Sequence, residues 1–191
     1  MSIVRHSGRG FIFTPKDFVD LGSRSTVDSA LSRLAAKKGI RRLSRGLYDY
    51  PKKHHLLGDL YPSMDDIAKT IAKDTCSHMQ ITGSKALYLL GLSTQVPAKT
   101  IYLTDGQSKD IYIGNTVLTL KHASSKVMAG AGSKAGSVLQ AIRCLGKDKL
   151  NDYLIEKLSR QLNKHDKQAL KNIARFAPGW TKPVIDKLLE N

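Results

Sequence analysis

Arg24, Arg33, Arg41, Arg42, Arg45, Lys52 and Lys53 lie close together in the chain, interleaved with the hydroxyl-bearing Ser25, Thr26, Ser29, Ser32 and Tyr48. Guanidinium and ammonium groups donate to phosphate oxygens, and a small hydroxylated surface approaches base edges without steric conflict. The chemistry these residue types offer is recognition of a polyanion.

Charge is distributed to match. The 191-residue chain carries 31 Lys+Arg against 16 Asp+Glu, a formal net charge of +15. Residues 1–53 hold +8 of it, residues 54–130 only +1 and residues 131–191 the remaining +6. A nearly neutral middle between two basic ends is what phosphate binding and electrostatic steering ask for. In the C-terminal segment the lysines also read as the solvated faces of helices.

The elements that must position the N-terminal cluster follow from local patterns. Gly10–Phe13 is strand-like, and Thr14-Pro15-Lys16-Asp17 combines a capping box with proline at the first helical position. That predicts a helix of about two turns with Phe18 and Leu21 inward, stopped at Gly22. Ser25 and Asp28 repeat the capping-box spacing and predict a second helix to Lys38, with Val27, Ala30, Leu31, Leu34 and Ala35 as its apolar stripe. Its opposite face is Ser25, Ser29, Ser32, Arg33 and Ala36, and Gly39 is expected to end it in the left-handed conformation. Ile40–Tyr50 then reads as two strands turning at Gly46, bracketed by Arg41, Arg42 and Arg45. Two closely spaced helices and a basic hairpin make the recipe of a winged helix-turn-helix at residues 1–53. Arg33, Ser29 and Ser32 are expected on bases, and Arg24, Arg41, Arg42 and Arg45 on the backbone.

Phe13-Thr-Pro-Lys-Asp-Phe18, Leu21-Gly-Ser-Arg24, Ala30-Leu-Ser-Arg-Leu34, the run from Ile40 to Pro51, Gly91–Pro97 and Tyr102–Gly106 together resemble the AbiEi-like antitoxins, over roughly residues 9–122. The resemblance implies a winged-helix autorepressor joined to a C-terminal antitoxin domain, in an abortive-infection, type IV toxin–antitoxin locus. Its implied partners are double-stranded DNA, as the protein's own operator, and a nucleotidyltransferase-like toxin, opposed directly or only functionally. Such domains usually carry a fuller helix before the first strand, where here only about ten residues precede it.

Residues 54–62 lack apolar periodicity and read as a linker before a domain at 63–191. Its first part, 63–130, is a small α+β unit. Ser63-Met-Asp-Asp66 caps a helix with Ile67, Ala68, Ile71 and Ala72 inward, a second helix runs from about Ser84 to Leu90, and three short strands follow between residues 100 and 120. The part at 131–191 is helical, with Trp180 as a core anchor. The fold class is therefore α+β, mostly helical.

Other motifs are weaker. Gly130-Ala-Gly132-Ser-Lys-Ala-Gly136 has neither the preceding parallel strand nor the distant acid of a dinucleotide site, and reads as a hinge or helix-start loop. Gly83-Ser-Lys85 lacks the upstream glycine of a phosphate-binding loop. Cys76-Ser-His78 and His54-His55 do not add up to a metal site, and Asp65-Asp66 is explained by capping. No cofactor, metal or catalytic set is expected, and an enzyme is disfavoured. Cys76 and Cys144 read as free thiols, and with no apolar run near the length of a membrane span or a signal peptide, the protein is expected in the cytoplasm. The competing reading is a stand-alone DNA- or RNA-binding regulator with no toxin partner.

Overall fold

Residues 1–190 are described in a computed structural model. The fold is α+β, about half helical, with small sheets. The chain divides into one unit of Met1–Cys76 with Asp110–Leu118, and a second of Ser77–Lys109 with residues 119–191.

The first unit starts with a short helix α1 (Ser2–His6), which sends Val4 into the core. After β1 (Ile12–Phe13), the Thr14/Asp17 capping box forms as expected, the Thr14 N–H donating to Asp17 at 2.9 Å. The segment Pro15–Leu21 is nevertheless a kinked 3-10 stretch, with Phe18 outside helical geometry. Phe18 is buried but Leu21 is 62% exposed: the backbone leaves helical geometry at Phe18, φ −129°, and this kink breaks the period that would set the two side chains on one face.

Helix α2 (Arg24–Ala36) is capped by Ser23, whose hydroxyl accepts from the Thr26 N–H, two residues before the expected Ser25 cap. Val27 and Leu31 are buried. The helix closes in a Schellman motif in which the Lys38 N–H donates to Ala35 and the Gly39 N–H to Leu34. Lys38, not Gly39, takes the left-handed conformation.

Strands β2 (Arg41–Ser44) and β3 (Leu47–Asp49) turn at Gly46, with φ of +71°, and β1 adds to β3, giving the sheet order β1-β3-β2. Phe13 anchors the core, edge-on to Phe18 and stacked on Tyr48. The expected linker is structured: β4 (Lys52–His54) and β5 (Gly58–Leu60) form a second hairpin, in register Lys52↔Leu60, Lys53↔Asp59 and His54↔Gly58.

Helix α3 (Met64–Asp74), capped by Ser63, belongs to this first unit and not to the second. Thr14 donates to Asp74 at 2.8 Å and Lys73 to Asp17 at 2.8 Å. Although burial pushes the Asp17 carboxyl up, the hydrogen bonds and charge of Lys73 and those from Thr14 hold it below the ordinary carboxylate range.

The second unit contains β6 (Met79–Ile81), α4 (Gly83–Leu89) and β7 (Thr100–Thr104). The hairpin of β8 (Lys109–Ile113) and β9 (Thr116–His122), whose Asp110–Leu118 portion belongs to the first unit, turns at Gly114, and the sheet order is β6-β7-β9-β8. Then come α5 (Ser125–Met128), α6 (Lys134–Leu145), α7 (Asp152–Ser159), α8 (Lys164–Ile173) and α9 (Lys182–Glu190). Val138, Leu139, Ile142, Leu158, Leu170 and Leu188 form its core, with Trp180 partly buried against it. The glycine loop before α6 is packed rather than open: a Cβ at Gly136 would overlap the Gly130 carbonyl and come within 2.5 Å of the Gln80 amide nitrogen.

Candidate functional site

Alternation along β2 sends Arg41 and Arg42 to opposite faces of the sheet, and this parts residues that look equivalent in the sequence. Arg42 is exposed, and it joins Arg45, Gly46 and Tyr48 from the hairpin and Arg24, Asp28 and Ser32 from α2 in lining a cleft of about 300 Å³. Five residues expected at the site thus meet there. Tyr48 is 5% exposed and serves as floor, its ring committed to the stack on Phe13.

Charge in the cleft is only partly compensated. Arg24 donates to Asp28 at 3.0 Å, one helical turn along α2. Among the described residues, no side-chain hydrogen bond or ion pair engages Arg42 or Arg45. Two unpaired guanidinium groups, with a third held by a single carboxylate, leave the cleft lined with donors of the kind that anionic oxygen accepts from. Asp28 is the member that sequence reasoning assigned only to capping. Its position four residues after Arg24 is the local signal for this ion pair.

Next to the cleft, Ser25, Ser29, Ser32 and Arg33 occupy the exposed face of α2, opposite its buried Val27 and Leu31. Thirteen residues make this face about 20 Å long, and no side chain on it is larger than Arg33. Thr26 is turned elsewhere: it lines a separate apolar groove with Ile3, Phe18, Leu21, Ala30 and Leu34, its hydroxyl 2.8 Å from the Ser23 cap.

Arg41 does not join the cleft. Its guanidinium donates twice to Asp49, at 3.0 and 2.6 Å, and to the Leu60 carbonyl at 2.7 Å, and it lies 4.0 Å from the centre of the Tyr61 ring. Asp49 is 1% exposed. Burial works against the Arg41 charge, but the bonds and charge of Asp49 outweigh it, so the group is held charged more firmly than a free arginine. Arg41 is a strut between the two hairpins. Lys52 and Lys53 lie exposed on β4, and the Lys52 stem crosses Gly10 so closely that a Cβ there would be 2.5 Å from its Cε.

Among the described residues, no group of three or more His, Cys, Asp or Glu side chains is placed to hold a metal, and no helix is long and apolar enough to cross a membrane. Cys76 and Cys144 are both exposed free thiols.

No curated protein matches the chain. A family model described as a family of unknown function (DUF6088) matches residues 1–170, and the chain belongs to that family.

Proposed function

We propose that this protein binds duplex DNA through its first unit, used as a winged helix-turn-helix. In this reading α2 lies in the major groove with Arg33, Ser29 and Ser32 toward base edges, while Arg42 and Arg45 of the β2–β3 hairpin take backbone phosphates or the minor groove beside it. Arg24 serves the backbone at the start of α2. The observation that carries the reading is the cleft between α2 and the hairpin, where two exposed arginines have no protein partner next to a helix face of small hydroxylated side chains. A helix face stripped of bulk has no packing role to explain it, and clustered unpaired arginines are costly in mutual repulsion unless an anion joins them.

The target that best suits such a module is the protein's own operator, with autorepression as the consequence. A gel-shift titration of the full chain against its own upstream DNA and a scrambled duplex, at two salt concentrations, tests this. Preferential binding that persists at the higher salt supports operator reading. Weak binding to both duplexes, lost together as salt rises, reduces the cationic surface to general polyanion affinity.

The sequence resemblance extends the proposal to the antitoxin of a type IV pair, with the rest of the chain opposing a nucleotidyltransferase-like toxin. Rescue of cells expressing a toxin gene adjacent to this one tests that extension. The absence of such a neighbouring gene favours a stand-alone regulator.

A further inference from the structure

The hairpin β4–β5 carries at its tip the two most exposed large apolar side chains among the described residues, Leu56 at 79% and Leu57 at 73%. Neither has a packing role in the unit. The tip is nonetheless shaped: the imidazole Nδ1 of His54 accepts from the backbone N–H of both Leu56 and Leu57, at 3.2 Å each, and Gly58 closes the turn at φ of +71°. Local order with the leucines held outward separates this tip from a loose loop.

The hairpin is also fixed to the sheet that bears the cleft. Arg41, in β2, donates to the carbonyls of Asp59 and Leu60 in β5, at 3.4 and 2.7 Å. The same residue that is withheld from the cleft therefore aims the second hairpin. Lys52 and Lys53 stand exposed on β4, with Asp59 opposite Lys53 in register, so the arm behind the leucines is cationic.

We propose that β4–β5 is a second DNA-contacting arm of this unit, with Leu56 and Leu57 acting as an apolar wedge between base steps in the minor groove and Lys52 and Lys53 on the flanking phosphates. The inference rests on the DNA-binding reading above. Apolar side chains at the tip of a rigid basic element are what partial unstacking of a duplex requires, and the bend they produce brings more of the backbone onto the protein. Charge complementarity selects nucleic acid as the occupant, since Lys52 and Lys53 stand exposed on the strand that leads into the apolar tip. A bilayer is the poorer occupant. Two leucines bury less hydrocarbon than one myristoyl chain, whose own anchoring is marginal.

The test is fluorescence energy transfer between the ends of a labelled duplex carrying the upstream DNA, with the wild-type chain, Leu56→Ser/Leu57→Ser and Leu56→Met/Leu57→Met, each checked for folding by circular dichroism. The wild type and the Met variant are expected to bend the duplex, and the Ser variant to lose the bend and bind about tenfold more weakly. Equal bending and affinity for the Ser variant, or binding by wild type without any bend, overturns the wedge while leaving the DNA-binding reading intact. Failure of the wild type to bind any duplex removes that reading, and the wedge with it. Sedimentation of wild type, but not of the Ser variant, with vesicles of phosphatidylglycerol and phosphatidylcholine assigns the tip to a membrane and also overturns the proposal.

Discussion

Arg41 and Asp49 are directly paired across β2 and β3, and the guanidinium of the first donates to both carboxylate oxygens of the second, at 3.0 and 2.6 Å. Asp49 is almost wholly shielded from solvent, so this pair is interior structure, whereas Arg42, one residue along, is solvent-facing. The arginines of one short basic hairpin are thereby split between holding the fold and offering charge.

Stability should follow that split. Arg41→Ala leaves a buried carboxylate without its partner and is expected to cost about 3 kcal/mol, since breaking one side of a buried pair exposes the full desolvation penalty of the other. Arg42→Ala and Arg45→Ala, with no partner to lose, should stay within about 0.5 kcal/mol of wild type. Urea unfolding of the three variants checks this. Equal destabilisation by all three contradicts the division of labour.

Arg33 and the hairpin arginines should differ in kind. Removing Arg42 or Arg45 is expected to weaken binding to every duplex and to reduce the slope of log affinity against log salt by about 1 for each phosphate no longer neutralised. Arg33→Ala should instead narrow the gap between upstream and scrambled DNA, leaving the salt slope nearly unchanged. Anisotropy titrations over a salt series separate the two behaviours.

Acid should loosen the first unit through Asp17. Its carboxyl is lowered from 3.8 in the folded state, net of burial, by Lys73 and Thr14. A depressed carboxyl binds fewer protons folded than unfolded, so its contribution is fully present above pH 3.8 and is lost as pH falls through the lower folded value. Asp17→Asn should be less stable than wild type at neutral pH, and the difference should shrink below about pH 4. Denaturant midpoints measured across that range decide the matter: a difference that stays constant with pH contradicts the assignment.

The glycine loop before α6 offers a contrast within one motif. Gly136→Ala places a methyl against the Gly130 carbonyl and the Gln80 amide, backbone and buried side chain that cannot easily retreat, and is expected to cost about 3 kcal/mol. At Gly132, φ is +77° but nothing lies within 4 Å of the added Cβ, so Gly132→Ala should cost only the conformational strain, about 1 kcal/mol. Thermal melts of the two variants, compared with wild type, test whether this segment is packed structure.

What could be read from the sequence was local. The Thr14/Asp17 capping box, the Ser63 cap, the Val27–Leu31 stripe and the turn at Gly46 depend on neighbours a few residues away, and they form as expected, although Asp66 accepts from the Ser63 hydroxyl and not from its N–H. Ser25 was expected to cap α2, but the helix starts two residues earlier and Ser23 caps it. The residues from Lys52 to Leu60 lack alternation because their hairpin buries neither face, so no apolar period marks it. At the site, Arg24, Ser32, Arg42 and Arg45 were legible as a basic, hydroxylated cluster, and they line one cleft. Arg41 was not separable from them, since its partner Asp49 lies eight residues away and meets it only once the turn at Gly46 sets the strand register.

If the α2–hairpin cleft grips duplex DNA through Arg42 and Arg45, the salt-dependent affinity of the Arg42→Ala/Arg45→Ala double variant for the upstream duplex, measured beside wild type, must show it. The double variant is expected to fold and to bind about a hundredfold more weakly, with a salt slope lower by about 2. An unchanged affinity and slope would contradict it.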